Sequence, residues 1–460
     1  MIDDDVDVDV AVVGGGIAGL SAAYELEQRG LTVRLLEASG RLGGVIRTER
    51  TDGWVIDAGP DALLAQKPAA VQLCGELGIE DRLICTQLPR TAYVLRDGRL
   101  RPLVAGSFLG FPVGVGALVR SSLFSWPAKL RMACEVVVPP SSGEDESIAS
   151  FTRRRFGKEA LDYLGEPLLA GIHAGDAERL SIEALFPRLA DAERRAGSVL
   201  RSLRTLKITP SPRGAFVSLP GGLGELVDAL RRALRPGTVR LSSAVTTVRR
   251  AGVFRVESQA ALVGARAVIV CVPAYAAAAM LRPIDTPLAA LCDAVPYAST
   301  ATVAFGYRRS QVRHPLDGSG FVVPRVERNP LLASTWVTSK WPGRAPDGHV
   351  LLRGFLGGGR DPDRLDQSDD DLVRLARGAL RETLGIKGDP VLTRLSRYPR
   401  QSPQYEVGHL KRAASIDARL SGVPGLFMAG SGFRAIGIPD CIADGRAAAA
   451  RAADFLAANP

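Results

Sequence analysis

At 460 residues the chain is too long for one simple core, so two or three domains are expected. Its 46% hydrophobic content, without a low-complexity tract, marks a globular protein and excludes a fibrous or disordered one. The net charge of +9 rests on 51 arginines and 7 lysines, yet no basic run is interleaved with aromatics, which argues against nucleic acid as a partner. Arginine forks suit carboxylates and phosphates, so an acidic substrate fits, although a GC-rich genome would give the same bias. Six scattered cysteines (Cys74, Cys85, Cys134, Cys271, Cys292, Cys441) fit reduced thiols in a cytoplasm and argue against disulfides or zinc. With only four histidines (His173, His314, His349, His409), no metal centre is expected. The acidic start, Met1-Ile-Asp-Asp-Asp5, lacks the basic residues of a secretory signal.

The first forty residues carry the most local information. Residues 8–13 are a β-branched apolar run of strand length, followed by Gly14, Gly15, Gly16 and Gly19. Residues 17–29 predict a helix with Ala18, Ala22 and Ala23 on a small-residue face, stopped by Gly30. Residues 32–36 read as a second strand ending on Glu37, eighteen positions beyond Gly19. Strand, glycine turn, helix, strand and acid in this order make a dinucleotide site. Gly14 permits the tight turn, Gly16 lets backbone approach a pyrophosphate, and Gly19 lets helix and strand pack closely. The helix start offers free N–H groups to the diphosphate, and Glu37 is spaced for ribose hydroxyls. The competing reading is a glycine-rich turn in another kind of α/β protein. Two further glycine turns, Arg41-Leu-Gly-Gly44 and Asp57-Ala-Gly-Pro60, suggest more backbone laid along a long, two-headed cofactor.

Residues 68–77 predict a helix closed by Gly78, and Arg96-Asp-Gly98 predicts a hairpin between residues 91–95 and 99–103, with Arg90 just before it. Residues 102–119 are uncharged, but two prolines and four glycines oppose a continuous membrane span. An apolar lip on a substrate tunnel, a patch on a bilayer surface, and a plain buried loop with a helix all remain open for this stretch. Residues 127–204 are mostly helical in pattern, with helices at 147–156 and 158–164 around Gly157. Strands are expected at 215–219, 239–248, 254–257 and 266–273, with a helix to Leu234. Residues 275–394 read as a separate α+β domain, with strands at 300–307, 320–323, 333–337 and 350–355. Its helix at 368–384 has an acidic first turn and stops at Gly385. A short strand at 424–430 then precedes Gly437-Ile-Pro-Asp-Cys-Ile442, which opens an alanine-rich helix to Leu456 with Pro439 in its first turn.

The glycine pair after the acid resembles the FAD-containing amine oxidase superfamily. Four stretches make the chain similar, over almost its whole length, to the oxygen-dependent porphyrinogen oxidases of haem synthesis. They are Glu166-Pro-Leu-Leu-Ala-Gly-Ile-His-Ala-Gly-Asp176, Pro403-Gln-Tyr-Glu-Val-Gly-His409, Leu426-Phe-Met-Ala-Gly430 and Gly437-Ile-Pro-Asp-Cys-Ile442. Thr335-Trp-Val-Thr-Ser-Lys-Trp-Pro342 with Leu351-Leu-Arg-Gly354 looks more like the branch that takes coproporphyrinogen III than the one that takes protoporphyrinogen IX.

The resemblance implies a six-electron oxidation in three rounds of flavin reduction, with O2 reoxidising the flavin and yielding hydrogen peroxide. It implies a Rossmann-type FAD domain, discontinuous over 1–89, 213–274 and 395–460, a substrate-side and helical insertion at 90–212, and a mixed-sheet substrate domain at 275–394. It places FAD on Gly14, Gly15, Gly16, Ile17, Ala18, Gly19, Glu37, Ala38, Gly43, Gly44, Gly59, Val245, Ile436, Gly437 and Ile438. Tyr398 stands beside the flavin where relatives commonly have tryptophan. Arg90 matches a position near a substrate propionate, against the plainer reading of a surface arginine, and Gly171 one whose backbone lies against the macrocycle. The last helix is suited to stabilising negative charge on a reduced flavin. Hydride transfer to flavin needs ring positioning rather than an acid–base pair, so no catalytic side chain is singled out. Cys441 reads as a core cysteine rather than a covalent flavin anchor. A flavin amine oxidase, a carotenoid-type desaturase and a flavin-binding sensor remain as alternatives. A homodimer, and peripheral contact with the inner face of a membrane, are left open.

Overall fold

The alternation in Val8–Val13 decides the first layer. Val10 and Val12 are buried toward one side of the central sheet, and Ala11 and Val13 toward the other. The computed structural model describes residues 6–103, 107–108, 110–112, 115–141, 143–205 and 214–460. In it Val8–Val13 pairs in parallel with Val33–Leu36 on one side and Leu262–Val270 on the other. Val239–Arg240 extends the sheet beyond Val33–Leu36. Leu426–Met428 lies parallel to the end of Leu262–Val270, while Val253–Ser258 and Val245–Ala251 continue it antiparallel. Helices Ile17–Gln28 and Ile438–Ala458 cover one face. Helices Ala274–Leu281, Thr286–Asp293 and His409–Ser421 cover the other.

The polypeptide's two ends meet because their contact is made of small residues. A β-carbon on Gly445 would stand 2.2 Å from the Ala18 carbonyl oxygen, so only glycine lets the last helix lie this close on the first.

A second seven-stranded sheet runs Leu392–Pro403, Tyr297–Arg308, His349–Gly357, Ala333–Trp336, Gly320–Val322, Ala92–Arg96, Arg99–Pro102. Its pairs are antiparallel except that Gly320–Val322 runs parallel to Ala92–Arg96. One face carries Ala301, Val303, Phe305, Leu352 and Leu356, which pack under helix Asp369–Leu384. Ser368 caps that helix, and Gly385 ends it at φ +63°. The opposite face turns toward the first domain, where the Trp54 ring seats against Gly306. The strand Leu392–Pro403 is continuous across residues 394 and 395, and hairpin 92–102 joins the same sheet.

Three elements depart from the sequence pattern. The strand expected at 239–248 is two pieces on opposite edges of the first sheet. Ser242 (φ +49°) and Ser243 cross between them, their N–H groups donating to Ser39 O and Glu37 O at 2.9 and 2.8 Å. The helix expected at 158–164 is α-helical only over Lys158–Ala160 and then widens to i→i+5 bonding across Leu161–Ala170, with Pro167 inside it. That wide turn aims the segment around Gly171. Leu392–Pro403, with Arg394, Arg397, Pro399 and Arg400 in it, has the composition of a loop; it is tolerated as an edge strand, where an absent N–H breaks no ladder.

Within residues 102–119, positions 104–106, 109 and 113–114 lie outside the described residues. Of the rest, Phe111 and Leu118 are buried in the helical core with Phe151, Phe156 and Leu164. No helix among the described residues is long and apolar enough to cross a membrane.

Candidate active site

The glycine turn is built by exclusion. Gly14 has φ +105°, and a β-carbon there would stand 2.6 Å from Cys271 O. On Gly19 it would stand 1.9 Å from Gly14 O, while on Gly16 it would meet nothing within 4 Å. The turn therefore closes tightly on the protein side and leaves bare backbone on the open side at Gly16. Helix Ile17–Gln28 begins there with no side chain capping its first N–H groups, and Ile17 and Ala18 are buried beneath it.

Glu37 ends the second strand and accepts the Gly15 N–H at 2.7 Å and the Ser39 N–H and hydroxyl at 2.8 and 2.7 Å. Ala38 is exposed next to it. Gly43 donates to Gly15 O at 2.8 Å, which lays the Gly43–Gly44 turn beside the first one. Val245, half-buried, begins the strand that follows the crossing serines. Gly59 sits where a β-carbon would be 2.0 Å from Val45 O, so this third turn is also glycine by necessity.

From the far end of the chain, Gly430 (φ +106°) donates to Asp444 Oδ2 at 2.8 Å and approaches Ala18. Gly437 then starts helix Ile438–Ala458, again with no side-chain cap, and Ile436 and Ile438 are half-buried beside it. Asp440 in its first turn pairs with Lys67 at 2.6 Å. Cys441 is buried, its thiol facing Ala435 O at 3.1 Å; burial pushes its pKa up to about 12, so it stays protonated. Two uncapped helix starts, a bare glycine face and a strand-end glutamate fit an anionic dinucleotide.

The second sheet brings a different set of groups to the same place. Tyr398 lies opposite Thr300 and points toward Gly59, its buried hydroxyl without a hydrogen-bond partner among the described residues. Burial raises its pKa above the usual phenol value. Beneath it is a buried ionic cluster. Arg344 reaches Asp57 at 3.1 Å and Ser218 Oγ at 3.0 Å, Lys340 reaches Asp61 at 3.1 Å, and the Trp341 Nε1–H donates to Asp61 Oδ2 at 3.1 Å. Burial pushes the Asp57 pKa up against the pull of Arg344. Burial would do the same to Asp61, but the cations of Lys340 and Arg353 and the Trp341 donor hold it well below the usual carboxylate range.

Gly171 ends the wide helix, and a β-carbon there would be in ordinary contact with Glu166 O at 3.7 Å. Two residues on, the His173 ring meets Phe186 edge-on at 5.6 Å; burial and Lys67 lower its pKa to about 4, so the imidazole is neutral. Arg90 is exposed, its Nε–H donating to Thr86 O at 3.1 Å, next to Gly214. The structure thus brings the glycine turns, Glu37 and the last helix together. Arg90 and Gly171 stand on other elements, the hairpin entry and the wide helix.

The segment Pro403–His409 ties these parts. Gln404 Nε2 donates to His173 O at 3.2 Å, Tyr405 O accepts from Ser181 N at 2.8 Å, and Tyr405 Oη donates to Ser431 O at 2.9 Å. His409 stacks on Tyr405 at 3.7 Å and bonds Phe433 O at 2.8 Å; burial lowers its pKa to about 4. Neither this tie nor the ionic cluster was assigned a role from sequence. Their signal is charge inside apolar strands, as with Arg353 between Leu352 and Gly354, and polar residues in the stretch from Pro403 to His409.

The flavin containing amine oxidoreductase family model matches residues 17–453. Coproporphyrinogen III oxidase of Bacillus subtilis (strain 168) is 35% identical across 97% of this chain and 98% of its own length. The chloroplastic protoporphyrinogen oxidase of Nicotiana tabacum is 28% identical across 98% of this chain and 86% of its own. The crystal structure of an Exiguobacterium sp. 255-15 protein assigned as a protoporphyrinogen oxidase superposes with a TM-score of 0.87 at 30% identity, covering 98% of this chain and 99% of that one. Reduced UDP-galactopyranose mutase, at 17% identity and a TM-score of 0.74 over 97% of this chain and 96% of its own, shares the fold alone. Matched along nearly all its length, and with a glycine cradle that fits the cofactor, the chain belongs to the flavin containing amine oxidoreductases and takes FAD.

Proposed function

We propose that the protein oxidises a porphyrinogen, coproporphyrinogen III foremost, to the corresponding porphyrin in haem synthesis. The observation that carries this reading is the end-to-end likeness to the Bacillus subtilis coproporphyrinogen III oxidase. FAD, when bound, would supply a two-electron hydride acceptor that O2 can reoxidise with release of hydrogen peroxide, so that three rounds would remove six electrons and six protons.

The chain's own part is to bind and orient. Gly16, with Ile17, Ala18 and Gly19 opening the helix, presents N–H groups to the diphosphate, while Gly14 and Gly15, whose own N–H groups donate to Leu36 O and Glu37, shape the turn beneath it. Glu37 takes the ribose, and Ala38, Gly43, Gly44 and Val245 flank that half of the cofactor. Gly59, Tyr398, Ile436, Gly437 and Ile438 line the flavin ring. Gly171 offers its bare α-carbon to the flat macrocycle, since glycine alone allows so close an approach. Arg90 offers its guanidinium to a propionate. The same reading includes peripheral contact with a membrane surface through an exposed stripe of Trp126, Leu130 and Val137.

The protoporphyrinogen reading is favoured by the tobacco relative. Initial rates on coproporphyrinogen III and protoporphyrinogen IX, each followed by porphyrin fluorescence, separate the two. The first is expected to be faster. Preference for the second reassigns the branch, and a yellow protein that oxidises neither overturns the proposal.

A further inference from the structure

The turn from Asp57 to Gly59 is gripped carbonyl by carbonyl from the second sheet. Arg353 Nη1 donates to Asp57 O and, at 2.6 Å, to Gly59 O, and Thr302 Oγ1 donates to Ala58 O at 2.7 Å. The two donors stand side by side on neighbouring strands, with Thr302 opposite Phe355 and Ala304 opposite Arg353, on the face turned toward the FAD domain. Arg353 also reaches Asp61 Oδ1 at 3.3 Å, and both donors are buried.

A trans peptide points its C=O and N–H in opposite directions. The Ala58 N–H, whose peptide gives its carbonyl to Arg353, accordingly donates away from the sheet, to Arg47 O at 2.9 Å. The next peptide gives its carbonyl to Thr302, so the Gly59 N–H also points away from the sheet. Any rotation of that plane would cost the Thr302 bond and bury an unpaired carbonyl. Neither Arg353 nor Thr302 belongs to the dinucleotide motif, and they lie some 300 and 240 positions further along the chain.

We propose that Arg353 and Thr302 are positioning residues that lock the Asp57–Gly59 peptide planes so that the Gly59 N–H is held toward the bound flavin, fixing the ring relative to the sheet that carries Tyr398. Hydride transfer requires the reacting atoms within about 3–3.5 Å, so a turn free to rotate would weaken both cofactor binding and the chemical step. The inference rests on the proposed flavin placement at Gly59.

The test uses Thr302→Val, which keeps shape and removes one donor, Thr302→Ser, which restores it, and Arg353→Lys. Three quantities are read: FAD affinity of the apoprotein by flavin fluorescence, amide exchange of peptides covering residues 57–62, and kcat and KM on coproporphyrinogen III. Thr302→Val is expected to weaken FAD binding about fivefold, speed exchange of the turn and lower kcat with KM little changed. Thr302→Ser should recover all three, and Arg353→Lys should exceed Thr302→Val. Wild-type affinity and exchange in folded Thr302→Val and Arg353→Lys would overturn the inference. Affinity and exchange need no substrate, so a wild-type protein that binds FAD but oxidises no porphyrinogen counts against the proposed reaction and leaves this comparison decisive.

Discussion

Two glycine-bearing turns of the FAD domain, Gly14–Gly19 and Asp57–Asp61, are held by opposite means. The Gly14–Gly19 turn is fixed by shape: its atoms stand where no β-carbon fits, with 1.9 Å between Gly14 O and the place a Gly19 side chain would begin. The Asp57–Asp61 turn is fixed by partners, with three consecutive carbonyls and two carboxylates engaged by side chains from remote parts of the chain. Steric closure is local and unaffected by pH. Polar closure is long-range and depends on every partner staying in its charge state.

The largest effect should come from violating shape. Gly19→Ala puts a methyl against backbone oxygen, which cannot give way as a side chain tip can, and should cost about 3 kcal/mol by urea unfolding with loss of bound flavin. Gly16→Ala, where the space is open, should change stability far less. Equal stabilities for the two variants would remove the steric account of the turn.

The partner-held regions should respond to acid. His409 is 2% exposed, and its pKa falls from an ordinary 6.5 to about 4 because burial disfavours its charge. Its folded value is depressed, so the unfolded chain takes up a proton first as pH drops. Stability from this site is complete above pH 6.5 and is lost toward pH 4. Between pH 7 and 5 the loss should be about 2 kcal/mol. His409→Phe keeps an aromatic ring against Tyr405 and should flatten that slope by about the same amount. An unchanged slope in the variant would place the acid sensitivity elsewhere.

The same contrast explains what could be read from sequence. The glycine turns, the Val8–Val13 strand, the Gly385 helix stop and Pro439 in the first turn of the last helix are local rules, visible in a short window. Strand Leu392–Pro403 was hidden because its arginines and prolines suit an edge rather than a core, and edges are defined by what is absent beside them. Arg353 and Lys340 lie inside motifs that carry the family resemblance, yet their partners Asp57 and Asp61 are almost 300 positions away, and no spacing rule connects them. The widening of Leu161–Ala170 was equally unreadable, since i→i+5 bonding leaves no periodic signature in ten residues.

The smallest effect on stability belongs to a region held by neither means. Trp126, Leu130 and Val137 are 68%, 69% and 75% exposed. They are spaced four and seven positions apart along Trp126–Ala133 and Cys134–Val137, one stripe of a helical surface whose other side buries Ala128 and Met132. The Lys129 ammonium lies 4.5 Å above the Trp126 ring and donates to Val119 O at 2.8 Å, so the stem covers apolar surface while the stripe stays open. Exposed side chains contribute little to folding, and the double change Trp126→Ser with Leu130→Ser should shift stability by no more than about 0.5 kcal/mol. Against vesicles the balance reverses. Each apolar side chain that leaves water on docking contributes about 1.5–3 kcal/mol, so the pair should account for at least roughly a hundredfold in vesicle binding. Co-sedimentation with anionic vesicles reads this directly: equal binding of the wild type and the double variant would show that the stripe is not the contact, whereas a loss at unchanged stability separates surface from core.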